Sequence, residues 1–223
     1  MKRSIISMGL CGVFLVLAAG CGKNNPPTTA PAPVSPPPPL SYSFSNYLGV
    51  SSTNPMIQPL GIAASGNNVW VVNRVGGTFQ DWSTGGALLS TASSYNGTFY
   101  SDPEGVAVGP DGFLYVSDEG SERIAEFNPA GGWEQTFGSG AITDVYGGFI
   151  AVNSTDAYMV DDSTPGFVYH FTISGFASAK TFTQAASFGQ TGPGALGANP
   201  GGIALDPTGN VYVANWNTAK LMK

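Results

Sequence analysis

The sequence predicts an all-β fold: a β-propeller of four-stranded antiparallel blades, with about four blades present and the ring incomplete. Three observations carry this. The 223 residues include 31 Gly and 17 Pro, with 42% hydrophobic and only 10% charged residues, a composition that favours short strands and many turns over helices. Four segments then repeat one pattern of apolar strand, polar turn, aromatic-rich strand and Asp or Asn: PLGIAASGNNVWVVN (59–73), PEGVAVGPDGFLYVSD (103–118), YGGFIAVNSTDAYMVD (146–161) and PGGIALDPTGNVYVAN (200–215). Corresponding residues Ile62, Val106, Ile150 and Ile203 are spaced by 44, 44 and 53 positions, a period that holds several short strands per unit.

The rest of each unit follows. In the second, residues 122–127 (ERIAEF) read as a third strand, followed by an NPAGG turn and a fourth strand around Trp133 to Phe137. The first offers 79–82, the turn STGG and 87–90. The third offers 167–171, the turn TISG and an outer stretch near 181–188. Apolar residues fill or alternate along these strands, while Gly, Pro, Asn and Asp sit at the junctions. Lys223 falls 20 residues after Ile203, as Glu126 falls 20 after Val106, so the sequence stops inside the third strand of the fourth unit. Two readings stay open: a propeller lacking blades, or four blades closed by a strand from residues 42–50.

The repeated segments resemble the NHL repeat family, with its Pro-x-Gly-Ile/Val-Ala start, Gly-containing turn, Tyr-Val-Ala-Asp strand end and Arg-Ile strand. Residues 103–127 match best, and the resemblance extends over about 59–223. Propellers of that family typically close with five or six blades. The resemblance implies architecture and not activity.

Ahead of the repeats lie two segments of other character. Met1-Lys2-Arg3 is a positive start, and residues 5–20 form an apolar run of 16, short for a bilayer span of about 20 residues. The run ends Leu17-Ala18-Ala19-Gly20-Cys21, which resembles the lipobox of bacterial lipoproteins, although Ala18 stands where that family usually has Leu. The resemblance implies acylation of the Cys21 thiol and cleavage just before it, hence residence in the bacterial cell envelope, periplasmic or at the cell surface. Cys11 would leave with residues 1–20, so no intramolecular disulfide could form and the core alone must hold the fold. Residues 22–40 hold eight prolines in 19. At about 3.1 Å per residue such an extended stalk reaches some 60 Å. The expected organisation is therefore a signal peptide at 1–20, a lipidated Cys and stalk at 21–40, and a propeller at 41–223.

Charge narrows the partners. The chain has eight Lys and Arg against 14 Asp and Glu, and loss of Lys2 and Arg3 leaves six against 14. With no basic patch to neutralise phosphates, nucleic acid is not an expected partner. The expected partners are the membrane, through the lipid, and a protein, peptide or carbohydrate ligand.

In a four-stranded blade the loop entering strand one and the loop joining strands two and three share a rim. That places Asp102, Glu104, Asp118, Glu119 and Glu122 together, with Asp144, Asp161 and Asp162 added from the third unit. Such a rim can take a divalent cation, Ca or Mg, or a basic ligand. The competing reading is structural: Asn73, Asp118, Asp161 and Asn215 recur at one position, where a short polar side chain can hold the turn backbone. Asp111 belongs to a Pro-Asp-Gly hairpin turn on the other face. His170, the single histidine, corresponds to Asp81, Glu126 and Lys223, so its position faces solvent or a neighbouring blade edge. Trp70, Trp82, Tyr100, Trp133 and Trp216 could line a peptide or carbohydrate site, although most fall where blade packing needs bulk.

The favoured function is a membrane-anchored binding or scaffolding module. The alternative is an enzyme. The GIA…VWV pattern also resembles streptogramin (virginiamycin B) lyases, which implies histidine, carboxylates and magnesium. A lactonase-like metal site would look to Glu104, but the corresponding positions provide no ring of donors. The present units place no histidine near the channel, so either chemistry would depend on blades beyond them. A serine nucleophile lacks its histidine, and no glycine-rich loop opens a helix to bind phosphate.

Overall fold

Pro59, Pro103 and Pro200 each open an inner strand, where a missing N–H costs no ladder bond, and each is paired with the polar residue that ends the next strand. In the computed structural model, which describes Tyr47 and residues 55–143, 147–175 and 177–223, this device starts three of four blades. All the described residues belong to the unit Phe44–Lys223. The first blade is β1 (Pro59–Ser65), β2 (Asn68–Asn73), β3 (Thr78–Ser83) and β4 (Leu88–Ala92), antiparallel and in sequence order. A two-stranded ribbon, β5 (Ser94–Tyr95) and β6 (Thr98–Phe99), leads to the second blade. That blade is β7 (Pro103–Val108), β8 (Leu114–Asp118), β9 (Arg123–Phe127) and β10 (Trp133–Phe137). The third is β11 (Ile150–Val152), β12 (Asp156–Asp161), β13 (Phe167–Ser174) and β14 (Thr181–Gln184). The fourth has three strands, β15 (Pro200–Leu205), β16 (Val211–Asn215) and β17 (Lys220–Met222).

The β7–β8 hairpin shows how local sequence sets this geometry. Pro110 supplies the fixed φ of a type I turn, Gly112 takes φ +82°, and Gly109 and Phe113 close the turn through Gly109 N–H to Phe113 O at 2.8 Å. Asp111 Oδ1 accepts the Phe113 N–H at 3.2 Å, so its turn role is observed. Asp206-Pro207-Thr208-Gly209 repeats the design in the fourth blade, with Gly209 at φ +85°.

Blades pack face to face. Leu114 and Val116 point at Trp70 and Val72 of the first blade, while Tyr115 between them points at Ile150, Met159 and Phe171 of the third. A blade covers each side, which is why β8 is apolar on both faces. Tyr158, Val160, Val168 and Val213 join the third blade to the fourth. The inner strands β1, β7, β11 and β15 stand side by side in that order around an axial cavity of 200 Å³, and the ring is not closed between β15 and β1. The expected closing strand at 42–50 lies, Tyr47 apart, outside the described residues. One predicted boundary is corrected. TISG is not the turn of the third blade, because Thr172, Ile173 and Ser174 pair with β14 and the chain reverses at Gly175, φ +89°.

Candidate functional site: a mixed-charge rim

Each second strand ends in a polar residue that ties down a loop of this rim. Asp118 accepts the backbone N–H groups of Ser101 (3.1 Å) and Asp102 (2.8 Å), and Asp161 accepts that of Ser163 at 2.9 Å. Asn73 accepts the Ile57 N–H and donates to Thr78, while Asn215 donates to Leu196 O and accepts the Thr218 N–H. Asp118 and Asp161 are both almost fully buried. These two predicted rim acids thus serve as turn anchors, the structural role their recurrence implied.

The residue after each anchor is different in every blade: Arg74, Glu119, Asp162 and Trp216. Arg74 is the focus of the rim. Its Nε and Nη2 donate to the two oxygens of Asp102 at 2.6 and 2.9 Å, a bidentate grip that planar guanidinium and carboxylate favour. Nη1 lies 3.0 Å from Glu104 and Nη2 lies 3.3 Å from Glu119. The hydrogen bond to Asp102 holds Arg74 firmly charged.

Glu104 behaves differently from its neighbours. Burial pushes its carboxyl up to about 8, the charge of Glu119 and a hydrogen bond with it act the same way, and Arg74 only partly opposes them. The shift favours the protonated form of Glu104, while the bidentate grip of Arg74 goes to Asp102. Asp162 is likewise pushed up, first by burial and then by Asp161 and Glu119. Glu119 also accepts the Gly147 N–H at 3.3 Å, which links the second and third blades.

The structure therefore brings Asp102, Glu104 and Glu119 together and sets Asp162 within their field. Glu122 lies beyond the short 3-10 turn Glu119–Ser121 with φ +51°, and Asp144 lies outside the described residues. A calcium or magnesium ion does not fit this arrangement. The guanidinium occupies the point on which the carboxylates converge, and among the described residues no three His, Cys, Asp or Glu groups form a metal-ligand set.

Of the aromatic residues singled out from sequence, Trp70, Trp82 and Tyr100 are core, whereas Trp216 is 71% exposed at the rim beside Gly201. His170 sits on β13, its Nε2 2.6 Å from Asp156 Oδ1 and its ring stacked 4.5 Å from Tyr158. Burial works against the Asp156 carboxylate, but hydrogen bonds from Thr155 and His170 prevail and hold it below the ordinary value.

Sequence reasoning missed two basic residues. Arg74 could have been found by aligning the residues after the four anchors. Lys180 lies just before β14, outside the repeated pattern. Its buried Nζ contacts Glu126 Oε1 and Asp111 Oδ2, each at 2.7 Å, and Tyr115 OH at 3.1 Å. Glu126 is fully buried, so the polar position on the third strand faces the neighbouring blade.

This is a β-propeller, and residues 100–127 match the NHL repeat family model. Searched against curated proteins, the sequence finds no match. Among solved structures it is similar to virginiamycin B lyase from Staphylococcus aureus, with a TM-score of 0.52 and 14% identity over 76% of this chain and 57% of that one. The β-propeller domain of Myceliophteria thermophila Cps50 (Swd1) aligns with a TM-score of 0.52 and 10% identity over 74% and 52%. The computationally designed Ika4 protein aligns with a TM-score of 0.53 and 12% identity over 79% of this chain and 96% of that one. At these identities the likeness is one of fold, and the chain spans about half the length of the two natural propellers.

Proposed function

We propose that the protein is a non-enzymatic binding or scaffolding module of the bacterial cell envelope, held to a membrane through acylated Cys21 and a proline-rich stalk, and that it presents its rim to a protein, peptide or carbohydrate ligand. The observation that carries the binding role is the rim itself. Arg74, Asp102 and Glu119 form a fixed, partly solvated array of both charges, with exposed Trp216 at the same blade position on the fourth blade. An exposed aromatic ring and oriented polar groups on one rim are common means of holding polar ligands with apolar faces. Anchoring draws support from the Leu17–Cys21 run and the absence of a second cysteine in the processed chain.

The fold likeness to virginiamycin B lyase does not favour catalysis in these blades. The single histidine, His170, lies on a third strand and is engaged by Asp156, away from the inner strands that line the axial cavity.

Two measurements test the proposal. Fractionation with palmitate labelling should place the wild-type chain in membranes and Cys21→Ser in the soluble fraction; an unchanged distribution refutes the anchor. Peptide and glycan arrays probed with wild type, Arg74→Ala and Trp216→Ala should yield ligands lost in both variants. Hits that survive both substitutions place binding elsewhere.

A further inference from the structure

On the face opposite the rim, the second and third blades enclose a cavity of 480 Å³, a volume typical of small-molecule sites. All its lining residues belong to these two blades, each of which has its four strands. Pro110, Tyr115 and Ile173 give it apolar walls, and the turn at 153–155 borders one side. Lys180 and Asp111 supply its charges.

An ammonium as enclosed as that of Lys180, whose side chain is 4% exposed, needs a partner for each of its three hydrogens. Two partners are sealed. Glu126 Oε1 at 2.7 Å and Tyr115 OH at 3.1 Å are buried, and Gln135 Nε2 donates to the other Glu126 oxygen at 2.7 Å. Glu126 alone balances the lysine charge. The third partner is of another kind. Asp111 Oδ2 meets Nζ at 2.7 Å, yet the Asp111 side chain is 43% exposed and sits on the tip of the β7–β8 turn. That turn also closes through Gly109 N–H to Phe113 O and Gly112 N–H to Gly109 O, so it does not depend on the lysine contact. An exposed ion-pair partner contributes little and is readily exchanged.

We propose that this cavity binds a small organic carboxylate, which replaces Asp111 on Lys180 and lays its apolar body against Pro110, Tyr115 and Ile173. Asp111 then acts as an internal stand-in for the ligand, holding the third hydrogen of the ammonium while the cavity is empty. The exchange swaps one carboxylate for another, so the buried ammonium keeps its partners while Asp111 turns into water. Charge selects the class. Lys180, Glu126 and Asp111 together carry one net negative charge, which a doubly charged phosphate would double in place and a monocarboxylate leaves unchanged where Asp111 was. An ammonium ligand would meet Lys180 as a like charge. The site is independent of Arg74 and of the rim on the other face.

The test follows the fluorine resonance of para-fluorobenzoate as the full chain in mild detergent is added. Wild type is expected to bind weakly. Asp111→Ser is expected to bind about fivefold tighter, because an exposed competitor and a like charge are removed. Serine still offers an acceptor to the Phe113 N–H, so the turn is kept. Lys180→Met with Glu126→Gln is expected to show only the partition into detergent seen without protein, and Arg74→Ala to match wild type. Equal affinities of wild type and Asp111→Ser overturn the proposal, as do an Asp111→Ser chain that binds nothing and binding that persists without Lys180. Binding lost in Arg74→Ala would place it at the rim and overturn the proposal as well. The comparison of Asp111→Ser with wild type decides the matter even if the double variant does not fold.

Discussion

Arg74 Nη1 of the first blade lies 3.0 Å from Glu104 of the second, and the same guanidinium grips Asp102 with its other nitrogens. One side chain from the loop after β2 thereby fixes the start of β7. Removing it leaves Asp102 and Glu119 without their cation next to a buried carboxyl. Arg74 is 39% exposed, so water recovers part of the loss. Arg74→Ala should therefore cost about 2 kcal/mol. For a domain of this size that is a drop of roughly 4–8 °C in Tm. Arg74→Lys should recover only part, since an ammonium cannot hold both Asp102 oxygens in the fork geometry. Thermal melts of the three proteins check this, and equal Tm values for wild type and Arg74→Ala would refute it.

The Glu104 carboxyl gives the fold a pH dependence of defined sign. In the unfolded chain it titrates at the ordinary value near 4.5, while in the fold burial pushes it up to about 8. Between those values the folded form holds a proton that the unfolded form has released, so stability falls as pH rises from about 4.5 to about 8 and levels off above. The loss is on the order of 5 kcal/mol across the window, at about 1.4 kcal/mol per pH unit. Glu104→Gln, neutral at every pH, should flatten this part of the profile in urea unfolding at successive pH values. A wild-type profile already flat from pH 5 to 8 would show that Glu104 titrates normally.

The buried ion pair on the opposite face is a sterner test of packing. Lys180 Nζ and Glu126 Oε1 are 2.7 Å apart, both nearly sealed from solvent, and Gln135 Nε2 and Tyr115 OH complete the carboxylate's partners. Lys180→Met removes the cation but leaves Glu126 enclosed, which should cost about 3–5 kcal/mol. Lys180→Met with Glu126→Gln should be clearly more stable than Lys180→Met alone, because a neutral amide needs no counter-charge. A double variant no better than the single one would mean that Lys180 acts through its contact with the Phe113 ring, 3.3 Å from the centroid, and not through charge.

What could be read from the sequence divides along the same line. The blade period, the Pro-Asp-Gly hairpin and the four turn anchors were legible because each repeats a residue type at a fixed place, and backbone geometry demands that type. Arg74, Glu119, Asp162 and Trp216 occupy one place with four chemistries, so repetition conceals the rim instead of revealing it. The acids there look like a cation site until the arginine from another blade is added. Lys180 could not be seen at all, because its partners Asp111, Tyr115 and Glu126 lie 54 or more positions away. The TISG turn failed because Thr172 and Ser174 are compatible with an exposed strand edge as well as a turn, and pairing with β14 decided the matter.

Gly105 separates the demands of the ring from those of a single strand. Its added Cβ would meet Gly148 O, Ser117 Oγ at 2.7 Å and Ile150 N at 3.1 Å, all but Ser117 belonging to the rigid backbone of the third blade. Neither partner can retreat without parting β7 from β11 and disturbing the Ser117 hydrogen bond to Gly148 O. Gly105→Ala should therefore destabilise by about 1–3 kcal/mol, as overpacking of an interior does. The backbone itself is not the obstacle, since Gly105 does not need positive φ, and alanine would otherwise stiffen the unfolded chain to slight advantage. Gly202→Ala is the matched control. It adds the same methyl at the same repeat position with nothing within 4 Å and should leave Tm unchanged or slightly raised. Equal melting behaviour of Gly105→Ala and its parent would show that the second and third blades separate more easily than their inner-strand contact implies.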